Sequence, residues 1–190
     1  SQPNIYKLYR QAGKTVNFLI VYGGQADKLQ KTLSNQLAIQ LDLDKCASFI
    51  RDFDTKYCRL REWQEQQVEL VIKNGFFELP TGWTRTFLEP PESLRGSERQ
   101  KILNFPVQTI AAQLSLSAQA AIQHDMQKAK MRTRIAVNTH DSYKFDCPAE
   151  EQAELDAICD RWMRRPPLMP IIEQWCKHTI PIEYDTKVLE

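Results

Sequence analysis

Apolar positions in the first 74 residues recur at three- and four-residue spacing, the period of helices with one buried face. Val16, Leu19 and Ile20 share one side of a segment over residues 5–23, and Gly23-Gly24 is the expected stop. Leu29, Leu33 and Leu37 mark a second helix over about 25–40. Asp42 and Asp44 can cap a third, which carries Ala47, Phe49 and Ile50. A fourth runs from about 57 to 74 and ends at Asn74-Gly75. The period then changes. Phe76-Phe77-Glu78-Leu79-Pro80 and Trp83-Thr84-Arg85-Thr86-Phe87 flank Thr81-Gly82, the pattern of a short hairpin. Residues 89–96 read as a loop and as the expected subdomain boundary. Ser97-x-x-Gln100 matches a capping box at the head of a long helix, and Pro106 is expected to bend or interrupt that helix. Residues 133–147 read as two strands around His140-Asp141-Ser142, and residues 149–164 as a helix. Pro166, Pro167 and Pro170 break the pattern before a short helix at 170–177, and Ile180–Tyr184 is a candidate edge strand. The predicted class is α+β, helices first and a small antiparallel sheet late.

Composition narrows the function classes more than it selects one. The 190 residues are 42% hydrophobic and 26% charged, as in a globular domain able to bury roughly 70% of its unfolded surface. A net charge of +1 excludes a histone-like or acidic-tail protein but not local basic patches. No apolar run reaches the length of a membrane span, so no membrane partner is expected. The N-terminal residues carry neither an apolar signal-peptide core nor an initiator Met, so the chain is expected to be processed, truncated or part of something longer. Cys46, Cys58, Cys147, Cys159 and Cys176 are odd in number and lack C-x-x-C spacing, as expected of free thiols in a reducing compartment. His124, His140 and His178 form no H-x-x-x-H pattern, so zinc hydrolase chemistry has no support.

The first helix carries the candidate chemistry. Arg10, Lys14, Phe18 and Tyr22 are spaced four apart and form one slowly drifting stripe. Like charges at Arg10 and Lys14 cost an isolated helix about 0.2–0.5 kcal/mol. Gly13 in the same turns costs about 1 kcal/mol more against Ala. A helix that receives a polyanion would accept both costs: two cations for phosphates, then two rings for stacking. An ordinary solvated basic face above core aromatics fits the same spacing.

The segment Arg10-x3-Lys14-x3-Phe18-x3-Tyr22-Gly23 resembles motif B, the fingers helix of family A DNA polymerases. The likeness continues in order along nearly the whole chain. Gly75–Arg85 is similar to the family's hairpin, with its G-x-x-x-T-x-x-G-R-x-R segment eroded to Thr81-Gly82-Trp83-Thr84-Arg85. Glu98-Arg99-x4-Asn104-x-Pro106-x-Gln108-x2-Ala111-Ala112 resembles the E-R-x4-N-x-P-x-Q-G-T-A-A-D helix, with Thr109 and Gln113 in place of the usual Gly and Asp. Asn138-Thr139-His140-Asp141-Ser142 resembles motif C, usually H-D-E. Ile180-Pro181-Ile182-Glu183 resembles the terminal strand.

The resemblance implies a role for each residue. Arg10 and Lys14 would contact the triphosphate of an incoming deoxynucleotide and stabilise charge on the reacting phosphoryl group. Phe18 would pack on its sugar and base, and Phe rather than Tyr there implies discrimination against dideoxynucleotides. Tyr22 would stack on the template base, with Gly23 leaving room for the strand. Asn104 and Gln108 would read the minor-groove edge of the primer–template, where all correct pairs share acceptors. Arg85 would touch a phosphate, and His140 would stand near the primer end. Asp141 would be one of two essential aspartates that hold two Mg²⁺ ions for in-line displacement. Ser142 stands where a secondary metal-site Glu is usual.

The second aspartate belongs to motif A, upstream of the fingers helix, and only nine residues precede Arg10. The expectation is therefore a C-terminal polymerase piece: a fingers subdomain over 1–95 and a palm portion over 96–190. An upstream fragment, on a separate chain or the missing part of the same one, would supply motif A. An unpaired palm strand would make the lone chain poorly soluble or pair it with another polypeptide. The implied partners are primer–template DNA and a dNTP, in the cytoplasm of a bacterium or phage-infected host, with an organelle as the alternative. The competing function is a catalytically inactive, polymerase-derived subunit that only binds nucleotide or nucleic acid. Single-subunit RNA polymerases share the fold, but the Asn104–Gln108 helix matches the DNA enzymes better.

Overall fold

The computed structural model describes residues 5–87 and 97–188, without the side chains of Gln36, Leu37 and Ser97. The expected loop at 89–96 lies outside the described residues, as does the Ser97 side chain on which the capping box depends. The order is α1 (Ile5–Val21), α2 (Ala26–Leu37), α3 (Leu43–Lys56), α4 (Arg59–Asn74), β1 (Phe76–Glu78), β2 (Thr84–Thr86), α5 (Ser97–Lys128), β3 (Arg134–Thr139), β4 (Ser142–Asp146), a 3-10 turn (Ala149–Glu151), α6 (Gln152–Arg164) and α7 (Met169–Cys176). The fold is α+β, mostly helical, with two separate two-stranded sheets among the described residues, β1-β2 and β3-β4. The chain divides into two compact units: Ser1–Phe77 with Thr84–Pro106, and Glu78–Trp83 with Val107–Glu190.

In the first unit, Leu29 and Leu33 of α2 and Cys46 of α3 form a buried cluster. Val16 and Leu19 of α1 and Ile50 of α3 pack against it. Each fully buried leucine contributes about 1.5–3 kcal/mol over an exposed one. Asp42 caps α3 by accepting from the Lys45 N–H at 2.6 Å. At the end of α1, Gly23 takes φ +77°. The Gly23 N–H donates to the Ile20 carbonyl (2.9 Å) and the Gly24 N–H to the Leu19 carbonyl (2.7 Å), a Schellman closure that glycine at this φ permits. The fully buried Gln64 of α4 completes the end: its Nε2 donates to the carbonyls of Ile20 (3.1 Å) and Val21 (2.9 Å). The Arg61 guanidinium steadies that amide, donating to Gln64 Oε1 at 3.0 Å while Nε donates to Asp54 Oδ1 at 3.0 Å. The C-terminus of α1 is thus fixed from two sides.

In the second unit, Ile122 and Met126 of α5 and Leu155, Ile158 and Cys159 of α6 form one buried cluster, against which Ile135, Tyr143 and Phe145 of the β3-β4 hairpin pack. Leu114, Met169 and Ile172 form another. Burial pushes the Cys159 thiol up to about 11, so it behaves as a small hydrophobe. All five cysteines are free, and Cys58 is exposed.

Two expectations are corrected. Of the two effects expected of Pro106, a bend or an interruption, the interruption does not occur: α5 runs through it to Lys128. A helical proline forfeits the bond to the carbonyl four residues back, at about 3 kcal/mol. Burial of Ile102, Leu103, Phe105 and Pro106 itself offsets that loss. Ile180–Tyr184 forms no strand. A strand needs a neighbour, and among the described residues none pairs with this segment. Side chains hold it instead: Ile180 and Ile182 pack on the Leu114–Met169–Ile172 cluster, and the Ile180 N–H donates to Glu173 Oε1 at 3.2 Å. The Tyr184 hydroxyl donates to Asp160 Oδ1 at 3.1 Å.

Candidate nucleotide and nucleic-acid sites

A cavity of about 820 Å³ in the first unit gathers much of the predicted stripe: Lys14, Phe18 and Tyr22, together with Asn104 of α5. Four-residue spacing on α1 sets the first three in line. The Schellman closure places Tyr22 just beyond the last helical turn, where its N–H still donates to the Phe18 carbonyl at 3.1 Å. The two rings stack with centroids 6.2 Å apart and planes 18° apart. Phe18 is 58% exposed, a large ring left open to a partner. Burial raises the Tyr22 phenol above its ordinary value, so the ring stays neutral. Arg10 is exposed one turn before Lys14 and does not line the cavity. Among the described residues neither cation is paired with a carboxylate, in contrast to Arg61, Arg99 and Lys101.

The opposite wall carries groups that the stripe alone did not reveal: Lys28 and Thr32 of α2, and Gln100 and Lys101 of α5. Lys28 Nζ donates to Gln100 Oε1 at 2.6 Å. Their convergence depends on tertiary packing, and no spacing in the sequence announces it. Asn104 Oδ1 is buried and has no hydrogen-bond partner among the described residues. A buried acceptor left unpaired costs about 1–3 kcal/mol, so this atom favours a donor from a bound molecule.

Gly23 has a structural reason of its own. Besides its positive φ, a Cβ there would stand 3.2 Å from Leu103 Cδ1. Arg85 lies exposed on β2, with its guanidinium 5.2 Å over the Phe87 ring and 5.8 Å over Phe105. That double cation–π contact holds the side chain while leaving its charge at the surface.

In the second unit, Gln108 is exposed on α5, and the predicted hairpin is present. Thr139 pairs with Ser142, so His140-Asp141 is a two-residue connection. His140 adopts φ +57°, a conformation uncommon outside glycine, and both residues are exposed. The turn is anchored from α5: Ser115 Oγ donates to the His140 carbonyl at 3.2 Å, and the Tyr143 hydroxyl donates to the Ser115 carbonyl at 2.6 Å. Asp141 therefore projects from a braced tip. It offers a hard oxygen donor, suited to Mg²⁺, which takes one or two protein carboxylates beside water and phosphate. Among the described residues, no group of three or more His, Cys, Asp or Glu could hold a metal by itself. No helix among them is long and apolar enough to cross a membrane.

A sequence profile of DNA polymerase family A matches residues 2–188, and the chain belongs to that family. It is 28% identical over 161 residues to a thermostable DNA polymerase I of Thermus thermophilus, covering 83% of this chain and 18% of that protein. To the DNA polymerase of Bacillus phage SP01 it is 25% identical over 154 residues, covering 80% and 17%. The chain thus spans under a fifth of the length of these relatives. The fold matches the POL domain of Pol1 from M. smegmatis, solved with DNA primer-template and dNTP. The TM-score is 0.70 at 22% identity, over 82% of this chain and 27% of that one.

Proposed function

We propose that this chain is the C-terminal fingers and palm part of a DNA-directed DNA polymerase, with residues 1–95 as fingers and 96–190 as the palm portion. The observation that carries the reading is the cavity in which Lys14, Phe18, Tyr22 and the unpaired Asn104 Oδ1 meet, in a chain of family A. In the reaction the primer 3′-hydroxyl attacks the α-phosphorus of a dNTP, a P–O bond forms, and pyrophosphate leaves. Arg10 and Lys14 bind the triphosphate oxygens and stabilise charge on the leaving group. Phe18 packs on the sugar and base. Tyr22 stacks on the templating base, and Gly23 leaves that strand its path. Asn104 and Gln108 donate to and accept from the minor-groove edge, Arg85 holds a backbone phosphate, and His140 orients the primer end. Asp141 would hold Mg²⁺, two ions shared with a carboxylate from an upstream polymerase fragment, and the metal would lower the pKa of the attacking hydroxyl and neutralise phosphate charge.

The test is primer extension by this chain co-expressed with an upstream family A fragment that carries motif A. Extension dependent on template and Mg²⁺ is expected, falling to background in Asp141→Ala. Equal extension by both proteins would overturn the role of Asp141. Binding of primer–template and dNTP without extension would favour the inactive binding subunit.

A further inference from the structure

A second cavity of the first unit, about 680 Å³, opens beside a different face of α1. Its lining includes Asn17 and Val21 of α1, Phe53 and Lys56 of α3, Tyr57 at the end of α3 and Arg59 at the start of α4. The Phe53 and Tyr57 rings lie 4.6 Å apart, and Tyr57 is 49% exposed. Lys56 Nζ sits 5.7 Å over the Tyr57 ring. Among the described residues neither Lys56 nor Arg59 forms an ion pair with a carboxylate, and none that lines the cleft is acidic. An exposed ring, Tyr57, backed by the half-buried Phe53 and set beside two exposed cations, is the kind of surface that single-stranded nucleic acid recognises: bases stack, and phosphates meet positive charge. Asn17 and Val21 immediately precede Phe18 and Tyr22, a step of about 100° around the helix. A strand whose templating base stacks on Tyr22 would reach this cleft by passing around α1.

We propose that this cleft binds single-stranded DNA, seating the unpaired template ahead of the templating base. The proposal rests on the polymerase reading above. It adds Tyr57, Lys56 and Arg59 as contacts, with Tyr57 stacking on a base and the two cations on successive phosphates.

The test is fluorescence anisotropy of a labelled oligo-dT 12-mer with the full 190-residue chain. Tyr57→Ala is expected to weaken binding about tenfold and Tyr57→Phe to restore it, since stacking needs the ring and not the hydroxyl. Removing both cations, Lys56→Ala with Arg59→Ala, is expected to lower the slope of log affinity against log salt by about 1.4, two phosphates at about 0.7 each. A fold defect would not shift that slope in this way. Cys58 also lines the cleft and is exposed, so saturating oligonucleotide should slow its alkylation, read by peptide mass mapping. Unchanged affinity and slope in the variants, or undiminished Cys58 alkylation, would overturn the proposal. A parallel dNTP titration separates the two readings. Saturable dNTP binding that depends on Lys14, with an oligonucleotide indifferent to the cleft, would sink this inference alone. Loss of both would sink the polymerase reading with it.

Discussion

Glu151 shows how one side chain ties local structure to conditions. Its Oε1 accepts from the Arg132 N–H (2.9 Å), and its Oε2 accepts from the Thr133 N–H (2.8 Å) and hydroxyl (2.6 Å), at the entry to β3. Led by the Thr133 hydroxyl, these donors lower the carboxyl from 4.5 to about 2. A folded value below the unfolded one means stability that is present above pH 4.5 and lost as pH falls toward 2. Glu65, Asp125, Asp160 and Glu173 are lowered as well, each chiefly by a side-chain donor, and add to the same acid sensitivity. The melting temperature is expected to drop between pH 5 and 2, and Glu151→Gln to flatten that slope; a slope identical to wild type would refute the role of this carboxylate. Gly24 is the sharpest packing constraint. A Cβ there would sit 2.1 Å from Leu19 Cδ2 and 2.8 Å from the Leu19 carbonyl oxygen. Gly24→Ala must therefore displace the closure of α1 and is expected to destabilise by about 1–3 kcal/mol, read by chemical denaturation. Of the groups proposed to meet the nucleotide, Lys14→Ala is expected to weaken dNTP binding about tenfold or more, since bonds to charged groups are worth about 1.5–3 kcal/mol.

At the scale of elements, α1 is the part whose ending matters most, because Tyr22 is placed by it. Gln64→Leu would leave the Ile20 and Val21 carbonyls without their buried partner and is expected to cost about 1–3 kcal/mol, with Tyr22 losing its fixed position. The helices of the first 74 residues were legible because Val16, Leu19, Leu29 and Leu33 recur at helical spacing and glycines close α1 and α4. The two hairpins were legible from turn residues between short apolar runs. Gln64 was not legible: a glutamine on a helix reads as surface, and only the packing of α4 on the end of α1 makes it a cap. Nor was the wall that faces α1 across its larger cavity, since Lys28 and Gln100 meet across 72 positions of chain. Pro106 and Ile180–Tyr184 misled for one reason. Local rules price the backbone alone, whereas burial of Ile102 and Leu103, and of Ile180 and Ile182, decides the outcome. The residues of the candidate site were read mainly through family likeness; their spacing alone fits a solvated basic face equally well.

For the molecule as a whole, a net charge of +1 means that affinity for polyanions must come from local patches rather than overall attraction. The first unit carries such a patch in Arg10, Lys14 and the other lysines of the cavity beside α1, and the second carries Asp141 on a braced turn. The central claim is that the cation-and-ring stripe of α1 grips a deoxynucleoside triphosphate. Equilibrium dialysis of the 190-residue chain with radiolabelled dNTP tests it most directly, comparing wild type with Arg10→Ala and Lys14→Ala. Saturable binding is expected, favouring triphosphate over monophosphate and weakening about tenfold or more in each variant. Absence of saturable binding, or equal affinity in all three proteins, would contradict it.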